Sequence, residues 1–123
     1  MRQSILRGDI RPCLLERAVG CEIGRIPKFR PVVVVSSNRQ NGDPRNQIVI
    51  VVPLTSLSAG RSARCDEVLI RPVESGLQNR SVTVCNQVGS VDRLRVGRRI
   101  GRVSAATMAE ISRRLKDVLG LEV

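Results

Sequence analysis

The chain has 123 residues, the size of one domain, and carries 21 Lys and Arg against 11 Asp and Glu, a formal net charge of +10. It has no His, which excludes a Ser-His-Asp triad, a Cys-His pair and a pair of catalytic histidines. All but two of the basic residues are Arg, whose planar fork suits phosphate, so we expect a single domain over residues 1–123 that binds nucleic acid or an acidic protein.

The sequence gives no sign of a membrane, a metal ion or another cofactor. No apolar run has the length of a membrane-spanning helix, and the first ten residues lack the apolar region of a signal peptide, so we expect a cytoplasmic protein. The cysteines, at 13, 21, 65 and 85, form no C-x-x-C pair. We therefore expect reduced, mostly buried thiols and no metal site.

The first half of the chain predicts strands joined by loops. In chain order these are an irregular strand at 8–18, a long loop at 19–29, a strand at 31–36, a turn-rich connection at 38–46 and a strand at 47–54. Pro31 is expected at the first position of its strand, where a missing N–H is tolerated. The strand at 47–54 is nearly all apolar and is therefore expected at the centre of the sheet.

The second half begins with shorter elements. In order, we expect a loop at 57–67, an edge strand at 68–73, an alternating strand at 81–91, a basic turn at 92–99 and a last short strand at 100–103. A helix should follow. Ser104 is a good N-cap, Gly120 is placed to end the helix, and apolar residues recur at steps of three and four. This stripe consists of Met108, Ile111, Leu115, Val118 and Leu119.

Five or six strands followed by one helix predict a mostly β (α+β) protein. The expected architecture is a small, strongly bent antiparallel sheet or barrel with the helix packed on it.

Three residues stand where chemistry could take place. Arg30 opens the second strand, Thr55 closes the third, and Glu22 lies in the long loop. If these two strands pair as a hairpin, Arg30 and Thr55 share one rim of the sheet, beside basic loops, which would suit phosphate chemistry. A strand-end charge, a turn hydroxyl and a surface carboxylate explain the same residues without any function.

The order of several short motifs carries a resemblance. "RGDI", "GCE", "RPVVVVS" and "VVPLTS" are followed by "GLQNRSVTVCNQVGSVDR" at 76–93 and "RVGRRIGRVS" at 95–104. This arrangement, from Gly8 to Leu121, resembles the MazF/PemK family of toxin endoribonucleases.

The resemblance implies an SH3-like antiparallel β-barrel of the MazF/CcdB type with a C-terminal helix. It implies a homodimer that cleaves single-stranded RNA sequence-selectively without a metal ion and is neutralised by a cognate acidic antitoxin. By motif, Arg30 and Thr55 match the catalytic arginine and threonine of the family, and Glu22 matches its loop glutamate. The residues expected to contact RNA are Lys28, Phe29, Ser56, Arg61, Arg64 and Gln87.

The chain departs from the family pattern in three places. Arg11 and Pro12 stand where the first strand usually has aromatic residues, and the loop after Glu22 is longer than usual. Asn86 and Gly89 replace an acid and an arginine that flank the glutamine of "NQVGSVDR". The RNA sequence recognised by other members therefore cannot be transferred.

Two other functions fit this fold class. A CcdB-like gyrase poison would be expected to have an aromatic C-terminal tail, but this chain has no Trp and ends in Leu121, Glu122 and Val123. A non-catalytic RNA-binding barrel usually stacks bases on aromatic rings, and Phe29 is the only ring in the sequence. A toxin that has lost its activity is a further alternative, against which the intact "RPVVVVS" and "PLTS" segments count.

Overall fold

The computed structural model describes residues 4–15 and 28–121, so Glu22 and most of the predicted loop at 19–29 lie outside the described residues. The strands are β1 (Asp9–Leu15), β2 (Lys28–Val34), β3 (Ile48–Ser56), β4 (Leu69–Ile70), β5 (Ser81–Thr83), β6 (Gly89–Asp92) and β7 (Gly101–Arg102). The helices are α1 (Asn38–Asn41), α2 (Pro72–Ser75) and α3 (Ala105–Leu119), with 3-10 turns at Cys85–Gln87 and Arg93–Arg95.

The strands form one curled antiparallel sheet in the order β4-β5-β3-β2-β1-β7, with β6 also paired to β3. This half-barrel with a C-terminal helix confirms the predicted fold class. The prediction of one strand at 81–91 was wrong, because the 3-10 turn at Cys85–Gln87 divides it into β5 and β6. The described residues therefore contain seven strands rather than five or six, and β3 pairs with β6 and then with β5.

The valine runs are buried on both faces of the sheet. Val33 and Val52 belong to a core that includes Ile111 of α3, whereas Val32 and Val51 belong to a second core on the opposite face. Since successive side chains of a strand point to opposite faces, a strand buried on both sides needs a continuous apolar run. This confirms the expected central position of β3 and accounts for "VVVV" in β2.

β2 begins at Lys28 rather than at Pro31, so the predicted start of this strand was wrong. Pro31 lies in the middle of the strand, directly opposite Pro12 of β1. Two prolines can face each other only at a non-hydrogen-bonded position of an antiparallel ladder, because neither has an N–H to donate. At such a position the N–H of a residue points away from the facing strand, so the missing N–H of Pro31 costs no hydrogen bond to β1.

The edge strand is shorter than the predicted 68–73, whereas the closing helix follows the prediction closely. β4 lies at the edge of the sheet and ends at Ile70, because Pro72 begins the one-turn helix α2. In α3, Ser104 Oγ accepts a hydrogen bond from the N–H of Thr107 at 3.1 Å, and Gly120 ends the helix with φ of 68°. Both caps are therefore confirmed.

The apolar stripe of α3 is only partly covered. Ile111 is buried and Met108 and Leu115 pack against the same core, but Val118 and Leu119 are 38% and 54% exposed. The last turn of the helix therefore extends beyond the sheet. No helix in the described ranges is long and apolar enough to cross a membrane.

Two of the three described cysteines are buried and Cys65 is exposed, which agrees with the expectation of mostly buried thiols. Burial raises the pKa of the Cys13 thiol to about 11, although the nearby Arg95 guanidinium opposes the rise. Burial also raises the pKa of Cys85, against a hydrogen bond to Thr83. Burial therefore disfavours the thiolate form of both residues.

Candidate active site

A cleft opens where β2 and β3 part. The two strands are paired from Val34 with Val51 to Val32 with Pro53, and no further. Continued by two residues, the same register would place Arg30 opposite Thr55. The catalytic pair proposed from the sequence therefore lies at the mouth of the opening between the two strands.

The position of Pro31 explains why the ladder stops there. The carbonyl of Val34 accepts a hydrogen bond from the N–H of Gly8, on the β1 side. The N–H of Val35 donates to the carbonyl of Ile50, on the β3 side. Because these directions alternate along a strand, the backbone of Pro31 faces β3, where it has no N–H to offer. The ladder can extend no further toward Arg30.

Beyond this point β3 is held by its other edge. Thr55 pairs with Val82 and Ser56 with Ser81, both on β5. The N–H of Leu57 donates to the carbonyl of Arg80 at 3.0 Å. The edge of β3 that faces β2 thus stays open while the strand itself remains anchored.

The cleft is a pocket of about 340 Å³. Its lining residues are Arg30, Pro31, Leu54, Thr55, Ser56, Leu77, Gln78, Asn79 and Ser81. Arg30 is half-buried and Thr55 is exposed. Register and alternation together place both side chains on the same face of the sheet. The part of the chain that the structure describes therefore brings Arg30 and Thr55 to one site.

The pocket carries one sign of charge. Of the described residues that line it, Arg30 is the only charged one. Within the described ranges, neither its guanidinium nor the Thr55 hydroxyl has a hydrogen-bond partner or a carboxylate partner. An arginine beside a hydroxyl, with neither committed to the protein, is suited to hold a phosphate group.

The family model for PemK-like, MazF-like toxins of type II toxin–antitoxin systems matches residues 6–119. The chain belongs to this family. Endoribonuclease MazF9 of Mycobacterium tuberculosis is 36% identical over 118 residues, which cover 94% of this chain and 96% of that protein.

Solved structures show the same fold. Mycobacterium tuberculosis toxin MazF-mt6 superposes with a TM-score of 0.73 at 23% identity, covering 94% of this chain and 99% of that one. A MazE-MazF crystal structure from Deinococcus radiodurans gives a TM-score of 0.74 at 22% identity, covering 98% and 100% of the two chains. The resemblance inferred from the sequence and the MazF-type fold are both confirmed.

Three of the residues expected to contact RNA in this MazF-like toxin lie on β2 and β3. Ser56 lines the pocket. Phe29 is 64% exposed and lies outside the lining, on the opposite face of β2 from Arg30. Lys28 is the first residue of β2, opposite Leu15. The structure thus places Ser56 beside Arg30 and Thr55, and the RNA contacts of Ser56, Lys28 and Phe29 all stay predictions.

The other three expected RNA contacts lie away from the pocket lining. Gln87 is half-buried in the 3-10 turn after β5. Arg61 forms an ion pair with Glu67 at 3.3 Å, and the exposed Arg64 donates its backbone N–H to the same carboxylate at 2.8 Å. Burial would raise the pKa of Glu67, but these two donors together hold it below its usual value. The charge of Arg61 is therefore balanced within the loop.

The family positions that depart from the usual pattern are also located. Arg11 is 3% exposed and bonded to Asp9, and Pro12 faces Pro31, so neither lines the Arg30–Thr55 pocket. The sequence analysis did not predict that a carboxylate two residues earlier holds Arg11 inside the protein. Asn86 is exposed in the 3-10 turn and Gly89 opens β6.

The pocket also contains residues that the sequence analysis did not assign. Leu77, Gln78, Asn79 and Ser81 form its wall on the β5 side. They belong to the "GLQNRS" motif, which carried the resemblance but received no role. Only the pairing of β5 with the end of β3 brings them beside Thr55, and no periodicity in the sequence predicts that pairing.

The donor set does not resemble a metal centre. In residues 4–15 and 28–121, no group of three or more Asp, Glu or Cys side chains is close enough to hold a metal ion, and the chain contains no His. The chemistry available in the pocket is therefore that of a guanidinium, hydroxyls and amides.

Proposed function

We propose that this protein is an endoribonuclease toxin that cleaves single-stranded RNA sequence-selectively and needs no metal ion. The observation that carries the proposal is the meeting of Arg30 and Thr55 at one pocket, where both are free of other described partners. The similarity to endoribonuclease MazF9 supports RNA as the substrate and cleavage as the reaction.

In this reaction the 2′-hydroxyl of a ribose attacks the adjacent phosphorus and the bond from phosphorus to the 5′-oxygen of the next nucleotide breaks. The leaving oxygen takes up a proton from solvent and becomes a 5′-hydroxyl. Negative charge grows on the phosphoryl oxygens as the new bond forms. Arg30 is placed to neutralise that charge through its guanidinium N–H groups. Thr55 donates a hydrogen bond to the same phosphate. Half-burial strengthens the contact of Arg30, because fewer waters compete with the phosphate.

The attacking hydroxyl must also lose its proton. An arginine is a poor proton acceptor, because guanidinium groups do not lose their proton in proteins. Glu22 is the proposed proton acceptor, because a carboxylate can serve as a general base. Glu22 lies outside the described residues, so its role rests on the match of "GCE" to the family motif.

The proposed partners follow from the charge and the family. The protein acts as a cytoplasmic homodimer, and its formal net charge of +10 attracts RNA and a cognate acidic antitoxin alike. A MazE-MazF structure is among the solved relatives, which supports an antitoxin as partner. Antitoxin binding would inhibit cleavage by blocking the pocket.

The products of RNA cleavage test the mechanism. Purified protein should cut a long single-stranded RNA in EDTA and leave a 2′,3′-cyclic phosphate or its opened 3′-phosphate, with a 5′-hydroxyl on the other fragment. Mass spectrometry of the fragments and labelling of 5′ ends by polynucleotide kinase measure this. Fragments with a 5′-phosphate, or cleavage that requires magnesium, would refute 2′-hydroxyl attack.

Association with the antitoxin should depend on salt. Opposite net charges speed the encounter of two proteins, and dissolved ions screen that attraction beyond about 10 Å at 0.1 M. We expect the association rate, followed by stopped-flow fluorescence, to fall steeply between 50 and about 500 mM salt. A rate that does not change with salt would show that charge does not guide this partner.

A further inference from the structure

The pocket beside Arg30 has a second set of polar groups that the phosphate chemistry does not use. Gln78 and Asn79 line it from the segment between α2 and β5. Both are exposed, and among the described residues neither side-chain amide has a hydrogen-bond partner. Two unpaired amides therefore stand across the pocket from a free arginine and a free hydroxyl.

The segment that carries these amides is fixed at both ends. On one side, the N–H of Leu77 donates to the hydroxyl of the fully buried Ser75 at 2.9 Å. Gly76 has φ of 71°, and a Cβ there would lie 2.0 Å from the carbonyl oxygen of Ile100, so the turn is closely packed. On the other side, the carbonyl of Arg80 accepts from the N–H of Leu57. The amides are thus presented by a preorganised backbone, as selective recognition requires.

The size and lining of the pocket suit one nucleotide. Its volume of about 340 Å³ is at the small end of the range of ligand pockets, roughly 300–1,000 Å³. Pro31, Leu54 and Leu77 provide apolar contact for the face of a base. A base whose phosphate lies on Arg30 would therefore reach the wall that holds Gln78 and Asn79.

The chemistry of an amide points to the edge of a base rather than to a phosphate. A carboxamide offers a donor and an acceptor side by side, and it carries no charge. It can pair in two-point fashion with a base edge, as Asn and Gln do with adenine in DNA, and this discriminates between bases. Phosphates carry no sequence information, and here Arg30 already provides the cationic contact.

We propose that Gln78 and Asn79 read the base next to the scissile phosphate and thereby set the nucleotide preferred at that position of the cleavage site. This rests on the proposed endoribonuclease function. It assigns sequence selectivity to the 77–79 segment and leaves rate acceleration to Arg30 and Thr55.

The test uses a pool of single-stranded RNA of random sequence, with the cut sites mapped by sequencing the 5′-hydroxyl ends. Wild type is compared with Gln78→Ala, Asn79→Ala and the double variant. Gln47→Ala is the matched control, because Gln47 is an exposed amide outside the pocket lining. Arg30→Lys is a second control, because it should lower the cleavage rate and leave the nucleotide preference unchanged.

We expect discrimination at one position adjoining the cut to fall by about tenfold or more in the double variant. The nucleotide preferences at the other positions of the cleavage site should change little. The cleavage rate of RNA that carries the least preferred base at the affected position should also change little. Gln47→Ala should keep the wild-type pattern. Affinities for uncleavable 2′-O-methyl oligonucleotides that differ only in that base should converge in the same variants. This second measurement does not depend on catalysis.

Three outcomes would overturn the inference. If the wild type cleaves and the double variant keeps its preference, the amides do not read a base, while the proposed function stands. If the double variant cuts all sequences more slowly by the same factor, the amides position the phosphate instead. If the wild type cleaves no RNA in the pool, the proposed function fails and the inference fails with it. Because both side chains are exposed, the alanine variants should fold, and circular dichroism would verify this.

Discussion

Arg30→Lys should cleave RNA at least about 100-fold more slowly than the wild type. Lysine keeps the charge, but it presents a single ammonium group, whereas arginine grips a phosphate through two N–H groups in a fixed plane. The pocket offers no described cation that could replace it, since Arg30 is its only charged lining residue. Single-turnover cleavage of a defined oligonucleotide, with the enzyme in excess, measures this loss directly.

RNA binding should change far less than the cleavage rate. The sequence has 19 arginines, so many other guanidinium groups remain to contact phosphates when one is replaced. Titration with a 2′-O-methyl analogue, which cannot be cut, separates affinity from chemistry. Thr55→Val should lower the cleavage rate by a smaller factor, again with little change in affinity, because it removes one neutral donor and leaves the charge in place.

Arg39→Lys is the matched control for this prediction. Arg39 is exposed on α1, at the end of β2 remote from the pocket, so its replacement should leave cleavage unchanged. If Arg30→Lys instead cleaves within about threefold of wild type, far short of the loss expected for a missing donor, Arg30 is not the catalytic residue.

The parts of the fold that could be predicted are those with a strong local signal. The continuous apolar run of β3 predicts burial on both faces, which holds from Val51 to Leu54, whereas Ile48 and Ile50 are exposed. Ser104 and Gly120 mark the ends of α3 through their own backbone chemistry. The start of β2 could not be predicted from Pro31, because the tolerance of that proline depends on its register with β1 and on the end of the ladder with β3.

The residues of the candidate site also differ in whether the sequence could predict their place. Arg30 and Thr55 could be placed together by assuming a hairpin, and that hairpin exists. Gln78 and Asn79 could not be found, because they reach the pocket only through the pairing of β5 with β3, between segments about 25 residues apart. Long-range pairing of this kind leaves no periodicity in either segment.

A second large effect is expected from Asp9→Asn, and it concerns stability. Asp9 is fully buried, and its Oδ2 accepts hydrogen bonds from the N–H of Leu6 at 3.0 Å and from Arg11 at 2.9 and 3.0 Å. Its Oδ1 accepts from Arg102 at 3.1 and 3.3 Å. All five contacts are donors, so an asparagine must turn its own NH₂ group toward the two donors at Oδ1 or the three at Oδ2.

The unpaired charge of Arg11 should destabilise the protein more than the misplaced NH₂ group does. Arg11 is 3% exposed and cannot reach water, whereas Arg102 is 46% exposed and can turn outward. Replacing the carboxylate leaves the Arg11 guanidinium buried without a counter-ion, which typically costs about 3–5 kcal/mol. Urea unfolding at a fixed protein concentration should show a loss of that size. The matched control is Asp43→Asn, because Asp43 also pairs with an arginine two residues later.

The control pair is exposed, so its loss should be small. Asp43 and Arg45 are 39% and 91% exposed and lie 3.5 Å apart. A surface pair of this kind contributes at most about 1 kcal/mol. If Asp9→Asn destabilises the protein no more than Asp43→Asn does, the buried cluster is not the tight structural element described above.

A double variant that removes both charges distinguishes the cost of losing the ion pair from the cost of burying an unpaired cation. Asp9→Asn combined with Arg11→Met should be less destabilising than the sum of the two single variants, because no buried guanidinium is left without a partner. The recovery should be incomplete. Arg11 also donates to the carbonyls of Gly97 and Ser4 at 3.0 and 2.8 Å, and methionine leaves both without those bonds. An additive double variant would place the cost in the lost hydrogen bonds rather than in the buried charge.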